Sequence, residues 1–359
     1  MKKIGFFFGI FCFASLLGQI EPSRATVGYD QGYSVENQLV AGYNAPGRIH
    51  VKGNFDVNLS GSFLYLIPRE GGLEIASKYV SAIPFHPTCL DVDFDWKAGF
   101  KVGMGWSFGH DDWNLRADYF RYHGTHKNQT DADISSETLV PSWLNYANQQ
   151  TSNTSIFSHA TGIWQLKMDL LDLELSRPFY VGKSLIFSPF VGIEGGWISQ
   201  FFEGKYLDPY GIPRSIHHQS SWLIGPSVGL NFQWIIIQGF SFFTNVLGSF
   251  FYQQFDNSMK EYLFTEPGNI YMSMHLPKKG YCTPQGDITI GFQYGSYFCE
   301  KKYHGDISIG YEFMIFGSQN HMRALQNNLT STMALQGLSD GNFASLTLQG
   351  LILTAKFDF

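Results

Sequence analysis

His110-Asp111-Asp112 sets an imidazole beside two carboxylates, the residue types that activate water in hydrolases. His217-His218 offers two imidazoles to a metal ion. Spacing weakens both. The first run follows Gly109 between two alternating stretches, where Asp side chains accept from nearby backbone N–H groups and make a polar turn. The second lies in an expected loop, and neighbours on an extended chain point to opposite sides. Neither run is assigned a catalytic or metal role, and no cofactor is expected. A third pattern is stronger: Asp91, Asp93, Asp95, Lys97 and Lys101 fall at alternate positions. Charges so spaced share one face of a strand and suit the handling of ions and water rather than bond-making.

The stretch that carries them runs from Asp91 to Tyr119. Opposite the charges stand Val92, Phe94, Trp96, Ala98, Phe100, Val102, Met104, Trp106 and Phe108, all apolar. This predicts one long strand with a greasy and a wet face. After the turn, Trp113, Leu115, Ala117 and Tyr119 resume the alternation against Asn114, Arg116 and Asp118. A long hairpin of this kind is what a membrane barrel needs, with lipid outside and a polar lumen inside.

Composition agrees. Aromatics make up 17% of the 359 residues and charged residues only 15%, with 38 glycines. Mean hydropathy is near zero, and no stretch after the first 25 residues is apolar for the length of a membrane helix. Lys2 and Lys3, the apolar run Ile4 to Leu17 and Ser23-Arg24-Ala25 read as a signal peptide cleaved after Ala25. Residues 26–50 read as a periplasmic lead-in, partly inside the lumen, and 51–359 as the barrel. The net charge of −6, without a basic patch, argues against nucleic acid.

Alternation marks further strands beginning near Val51, His159, Leu185, Trp222, Phe240, Ile288, Ile307 and Leu351. In the His159 strand Trp164, Leu166, Met168 and Leu170 align, then Leu173 and Leu175 take over, as a β-bulge would cause. The expectation is an all-β antiparallel transmembrane barrel of about ten strands, or twelve if 26–50 or 256–284 hides a pair. Short periplasmic turns alternate with long external loops at 68–90, 123–158, 256–284 and 317–341. The last strand ends on Phe357 and Phe359, which resemble the signal read by barrel-assembly machinery. Trp96, Trp106, Trp113, Trp164, Trp197, Trp222 and Trp234 are expected as aromatic girdles. Some ten-stranded outer-membrane barrels are proteases with Asp and His at the external rim, but this topology puts His110-Asp111-Asp112 at the periplasmic side.

Several segments resemble the Legionella-type major outer membrane protein family of pore-forming barrels, also found in chlamydia-related bacteria. They are Phe94 to Gly103, Asp111-Asp112-Trp113, Leu170 to Phe179, Ser188 to Gly192, Trp197-Ile198 and Gly225 to Gly229. The resemblance implies a porin or adhesin-like surface protein in the outer membrane of a Gram-negative-type cell, and brings no catalytic residues.

The expected lumen charges are Asp56, Asp91, Asp93, Asp95, Lys97, Lys101, Arg116, Asp118 and Lys167, then Asp169, Asp172, Glu194, Asp287, Asp306, Glu312, Lys356 and Asp358. Acids outnumber bases twelve to five, which predicts a weak cation preference. Passive diffusion of small hydrophilic solutes or ions is the expected function. The rivals are a narrow lumen filled by paired charges, and a surface adhesin or structural barrel acting through its loops. Expected partners are the bilayer, lipopolysaccharide, the assembly machinery and host-surface ligands; a homo-oligomer stays open. Cys12 leaves with the signal, and Cys89 and Cys282, both in expected external loops, could bridge, with Cys299 left over. An intermolecular cross-link is the rival.

Overall fold

A computed structural model describes residues 45–52, 56–80, 88–108, 111–133, 135–144, 157–208, 211–262, 270–322 and 343–359. The expected signal peptide, most of the lead-in and His110 lie outside these residues. In chain order the strands are β1 (Val57–Glu70), β2 (Ala76–Val80), β3 (Thr88–Leu90), β4 (Lys97–Ser107), β5 (Asn114–Asp131), β6 (Glu137–Pro141), β7 (His159–Ser176) and β8 (Phe179–Tyr180). They continue with β9 (Leu185–Leu207), β10 (Arg214–Ile237), β11 (Phe240–Tyr262), β12 (Ile270–His275), β13 (Lys279–Phe298), β14 (Tyr303–Phe316) and β15 (Leu346–Asp358).

Ten of these form the wall. β1, β4, β5, β7, β9, β10, β11, β13, β14 and β15 pair antiparallel in that order, and β15 pairs with β1 to close the ring. Closure satisfies the backbone polar groups that lipid cannot. Stepping from partner to partner once round the wall leads from Trp222 through Trp197, Asp169, Arg121, Phe100, Phe63, Leu353, Ile309, Phe292 and Phe242 to Trp234, twelve residues along the same strand. That stagger tilts ten strands by about 40°. Trp96, Trp197 and Trp222 then share one level, and Trp106, Trp113 and Trp234 another about 30 Å away, the span of an apolar belt between aromatic girdles.

Between the girdles the outward residues are apolar: Phe63 and Tyr65 on β1, Phe100 to Trp106 on β4, Leu171 and Leu173 on β7, and Ile307 to Ile315 on β14. Toward the long-loop end the pattern inverts. On β5 the outward series runs Leu115, Ala117, Tyr119 and then Arg121, His123, Lys127, while the inward series runs Arg116, Asp118 and then Phe120, Tyr122. The inward Leu64, Leu66, Leu166, Met168, Phe316 and Leu348 are fully buried there.

This inversion overturns several expectations. The register of β7 with both neighbours runs unbroken through Leu170 and Leu171, so no bulge exists. Leu166, Met168 and Leu170 instead face an apolar interior, and Trp164 is 0% exposed against 67% for Trp197. Trp164 therefore belongs to the interior, not a girdle. Lys167 and Asp169 face outward. β4 starts at Lys97, and the preceding segment turns Val92 and Phe94 inward, where Phe94 packs edge-on against Trp164. Asp91, Asp93 and Asp95 are exposed rather than lumenal. β9, β10, β11 and β13 outrun the expected strands, so His217 and His218 lie on β10 and Cys282 on β13. The 256–284 stretch holds β12, which extends the edge of β11 and adds no wall strand. Cys89, Cys282 and Cys299 are free thiols, so the possible Cys89–Cys282 bridge is not formed here.

Brominated lipid will quench Trp197 and Trp222 strongly and Trp164 weakly, measured by fluorescence of variants that keep one tryptophan each. Equal quenching of Trp164 would restore the bulge.

Candidate functional site

The space inside the wall divides into two halves of opposite character. The half near the short turns holds a cavity of about 410 Å³ whose lining mixes charged and polar side chains with apolar ones such as Phe190, Phe243 and Met314. Its bases are Arg48, Lys101, Arg116 and Lys356. Its acids are Asp118, Asp172, Glu174, Glu194, Asp287, Asp306 and Asp358. The acids are stacked in register: Asp118 pairs with Asp172 and Asp172 with Glu194 on three adjacent strands. Lys101 reaches past β1 and β15 to place Nζ 2.9 Å from Glu312 Oε1 on β14. Arg116 grips Asp118 and donates to Ser60 Oγ at 2.7 Å. Ser249 Oγ donates to Glu194 Oε2 at 2.7 Å. Asp172 Oδ1, Asp287 Oδ1 and Glu312 Oε2 accept no hydrogen bond from the described protein.

At the turn-side rim His304 Nδ1 lies 3.1 Å from Asp358 and 3.5 Å from Asp306, and Lys356 Nζ lies 2.9 Å from Asp358. Gly295, opposite Asp306, leaves the room: a Cβ there would collide with Asp306 Oδ1. The three groups His304, Asp306 and Asp358 could present ligand atoms to a metal ion. The Lys356 ammonium already neutralises one carboxylate, so an ion-pair network accounts for the cluster. Residues 45–52 cross this rim. Gly47 N–H donates to the Pro178 carbonyl, Arg48 Nε lies 2.9 Å from Asp112, and Lys52 N–H donates to the Lys301 carbonyl. Asp111 and Asp112 occupy a left-handed turn beneath it.

The other half is filled. Segments 71–76 and 142–144 enter from the β1–β4 and β5–β7 connections, joined above by a small sheet of β3, β2 and β6. Trp143, fully buried, stacks on Phe202 at 4.3 Å and donates from Nε1 to the Glu74 carbonyl at 2.8 Å. The Ile75 carbonyl accepts from Tyr206 Oη at 2.8 Å, and the Ile75 side chain presses on β7 at Gly162, where a Cβ would collide with Ile75 Cγ1. From the β14–β15 connection, Gln319 exchanges two hydrogen bonds with Gln253, at 3.0 and 2.9 Å, and its carbonyl accepts from Gln219 at 2.6 Å. These inserted residues escape a reading of the sequence; short runs such as Leu73-Glu74-Ile75 carry no distinguishing signal.

Of the expected lumen charges, Lys101, Arg116, Asp118, Asp172, Glu194, Asp287, Asp306, Lys356 and Asp358 line the cavity, and Glu312 joins it through Lys101. Asp56 lies at the rim, 3.6 Å from Arg48, and Lys97 lies at the opposite end beside Asp95. Glu174, two residues beyond Asp172 and on the same face of β7, also lines the cavity but is missing from the expected set. Gly225-Pro226-Ser227-Val228-Gly229 has the spacing of a hydrolase nucleophile elbow, but it runs through the middle of β10, not a strand-to-helix turn.

A family model described as Legionella pneumophila major outer membrane protein precursor matches residues 50–359. The chain belongs to this major outer membrane protein family. It is accordingly an integral protein of the outer membrane. A search of curated proteins finds no match. Among solved structures, the outer membrane protease OmpT from Escherichia coli aligns at 13% identity over 87% of this chain and 99% of its own, with a TM-score of 0.43. A major outer membrane protein from Thermus thermophilus aligns at 12% identity over 84% and 99%, TM-score 0.29. A Pseudomonas aeruginosa FadL homologue aligns at 7% identity over 84% and 89%, TM-score 0.28.

The inserted loop of this family member carries a titratable group. His321 lies between Phe255 and Phe343, each with ring centroids at 4.0 Å. Burial pushes its pKa down to about 4; the hydrogen bond to the Ser318 carbonyl opposes this, and the Lys279 charge adds to it. A histidine whose folded pKa lies below its free value gives stability that is full above pH ~6.5 and shrinks as pH falls toward ~4, by about 3 kcal/mol at pH ~4. Segment 317–322 will therefore become protease-sensitive between about pH 6 and 4.5, and His321→Phe will abolish that sensitivity. An unchanged pH profile in His321→Phe would refute the assignment.

Proposed function

We propose that this protein is a porin-type channel for small hydrophilic solutes and ions, weakly cation-preferring, with a gate at its external end. The observation that carries this is the acid-rich cavity inside the wall, where Asp172 and Asp287 each keep a carboxylate oxygen that accepts no hydrogen bond from the described protein. A hydrated, negatively biased vestibule lowers the barrier for cations and raises it for anions. The packed half around Trp143 and Gln319 supplies the gate, since side chains with no exposed surface leave water no path among the described residues. Solute passage requires those segments to withdraw. No bond-making chemistry is invoked. Export with removal of residues 1–25 and folding by the barrel-assembly machinery complete this reading.

A second reading is favoured by the same packing. A barrel closed by an apolar plug can serve as a rigid base for surface loops, acting as an adhesin or structural protein through the small sheet and the extended ends of β9, β10 and β11.

Single-channel recording across a salt gradient separates the two. The expected result is brief, infrequent openings with a reversal potential on the cation side. Trp143→Ala removes a buried indole, a loss of about 3–5 kcal/mol of plug packing, and will raise the open fraction at least about tenfold. Anion preference would reject the vestibule assignment, and silence in both proteins would leave the loop-borne reading.

A further inference from the structure

We propose that the outward face of β5 and β7 holds the phosphorylated headgroup of an outer-leaflet glycolipid. The wall is apolar outward between its girdles, yet on these two strands a charged cluster breaks the belt from the external side. Arg121 is in register with Asp169, and His123 with Lys167. Asp169 organises the group. It accepts from Tyr119 Oη at 2.6 Å, lies 3.1 Å from His123 Nε2 and faces Arg121 Nε at 3.7 Å. Arg121 is half-exposed, and Lys167 is exposed with no ion pair among the described residues.

Register fixes the height of this cluster. Asp169 pairs with Trp197, and Trp197 with Trp222. With the strands tilted, each step from β10 toward β5 drops by about 3 Å, so Arg121 lies about 9 Å below the Trp222 level and Lys167 close to it. By the same register, β11 and β14 present lipid-exposed Phe250 and Ile315 at the level of Asp169. A guanidinium and an ammonium on the lipid side of the wall, with one carboxylate between them, leave a net positive seat at headgroup depth. Lys and Arg stems lie along apolar surface while their heads seek anions, and Arg forks onto phosphate. The chemical class that reaches this depth with fixed negative charge is a phosphorylated lipid headgroup. The free phosphate ion carries the same charge but has no acyl chains to hold it against Leu171 and Leu173 just below.

The test uses protein extracted from outer membranes and delipidated in detergent. Native mass spectrometry follows titration with lipid A bearing both phosphates, with the same lipid after dephosphorylation, and with inorganic phosphate. One phosphorylated lipid A is expected to remain bound. Arg121→Gln with Lys167→Gln should weaken it about thirtyfold, Lys167→Gln alone about fivefold, and Lys260→Gln not at all. The single variant keeps the test valid if the double variant does not fold. Equal binding of dephosphorylated lipid, equal binding by the folded variants, or full displacement by inorganic phosphate would each overturn the proposal.

Discussion

Backbone hydrogen bonding inside a lipid bilayer admits only one arrangement for a chain of strands. Each N–H and C=O must pair laterally, and the last strand must pair with the first. In this protein the seam is made by β15 and β1, and at its end Val57 and Phe359 exchange both backbone hydrogen bonds, at 3.1 and 2.9 Å. Closure with a stagger of twelve residues fixes the tilt, the tilt fixes the heights of the girdles, and the heights decide which side chains meet lipid, headgroups or water. A closed wall also has no freedom to slip, because a shift of one residue at any pair would turn a whole strand inside out.

The inner and outer faces are therefore set by pairing, while polarity is set by what lies beyond each face. Sequence alternation reports polarity alone. Within the belt the two coincide, so the ten wall strands, their order and the inward Lys101, Arg116, Asp118 and Asp287 are legible. Around the external girdle they diverge, because headgroups and water lie outside and packed loop residues lie inside. Leu166, Met168 and Leu170 are as apolar as lipid-facing residues, and Lys167 is as polar as a lumenal one. A strand crossing that boundary without a kink mimics a change of phase, which is why β7 reads as bulged and Val92 and Phe94 as outward. The inserted segments themselves are not legible. Gln319 is defined by Gln253 and Gln219, which stand 66 and 100 residues away in sequence.

Charges in the lower half are arranged for more than stability. Lys101 and Glu312 span the cavity, and a buried pair of this kind gains little over an apolar pair of equal volume, because desolvation offsets attraction. Together with the in-register acids Asp118, Asp172 and Glu194, they give this part of the interior groups that favour water over the apolar packing found around Trp143. An apolar lumen of this diameter would pack shut along its whole length, as small barrels with filled interiors do.

The two halves also differ in how they can change. The wall is locked by closure, and the acids of the vestibule are carried on it. The plug is held by side chains on loop segments: one indole against Phe202, one isoleucine against Gly162, one glutamine exchange and one histidine between two rings. None of these contacts is part of the barrel's own hydrogen-bonded ladder. Breaking them exposes apolar surface and leaves Gln219 and Gln253 to water, at a cost of local contacts alone, while every wall strand keeps its partners. On the proposed reading, a molecule built this way opens at its long-loop end without losing its fold.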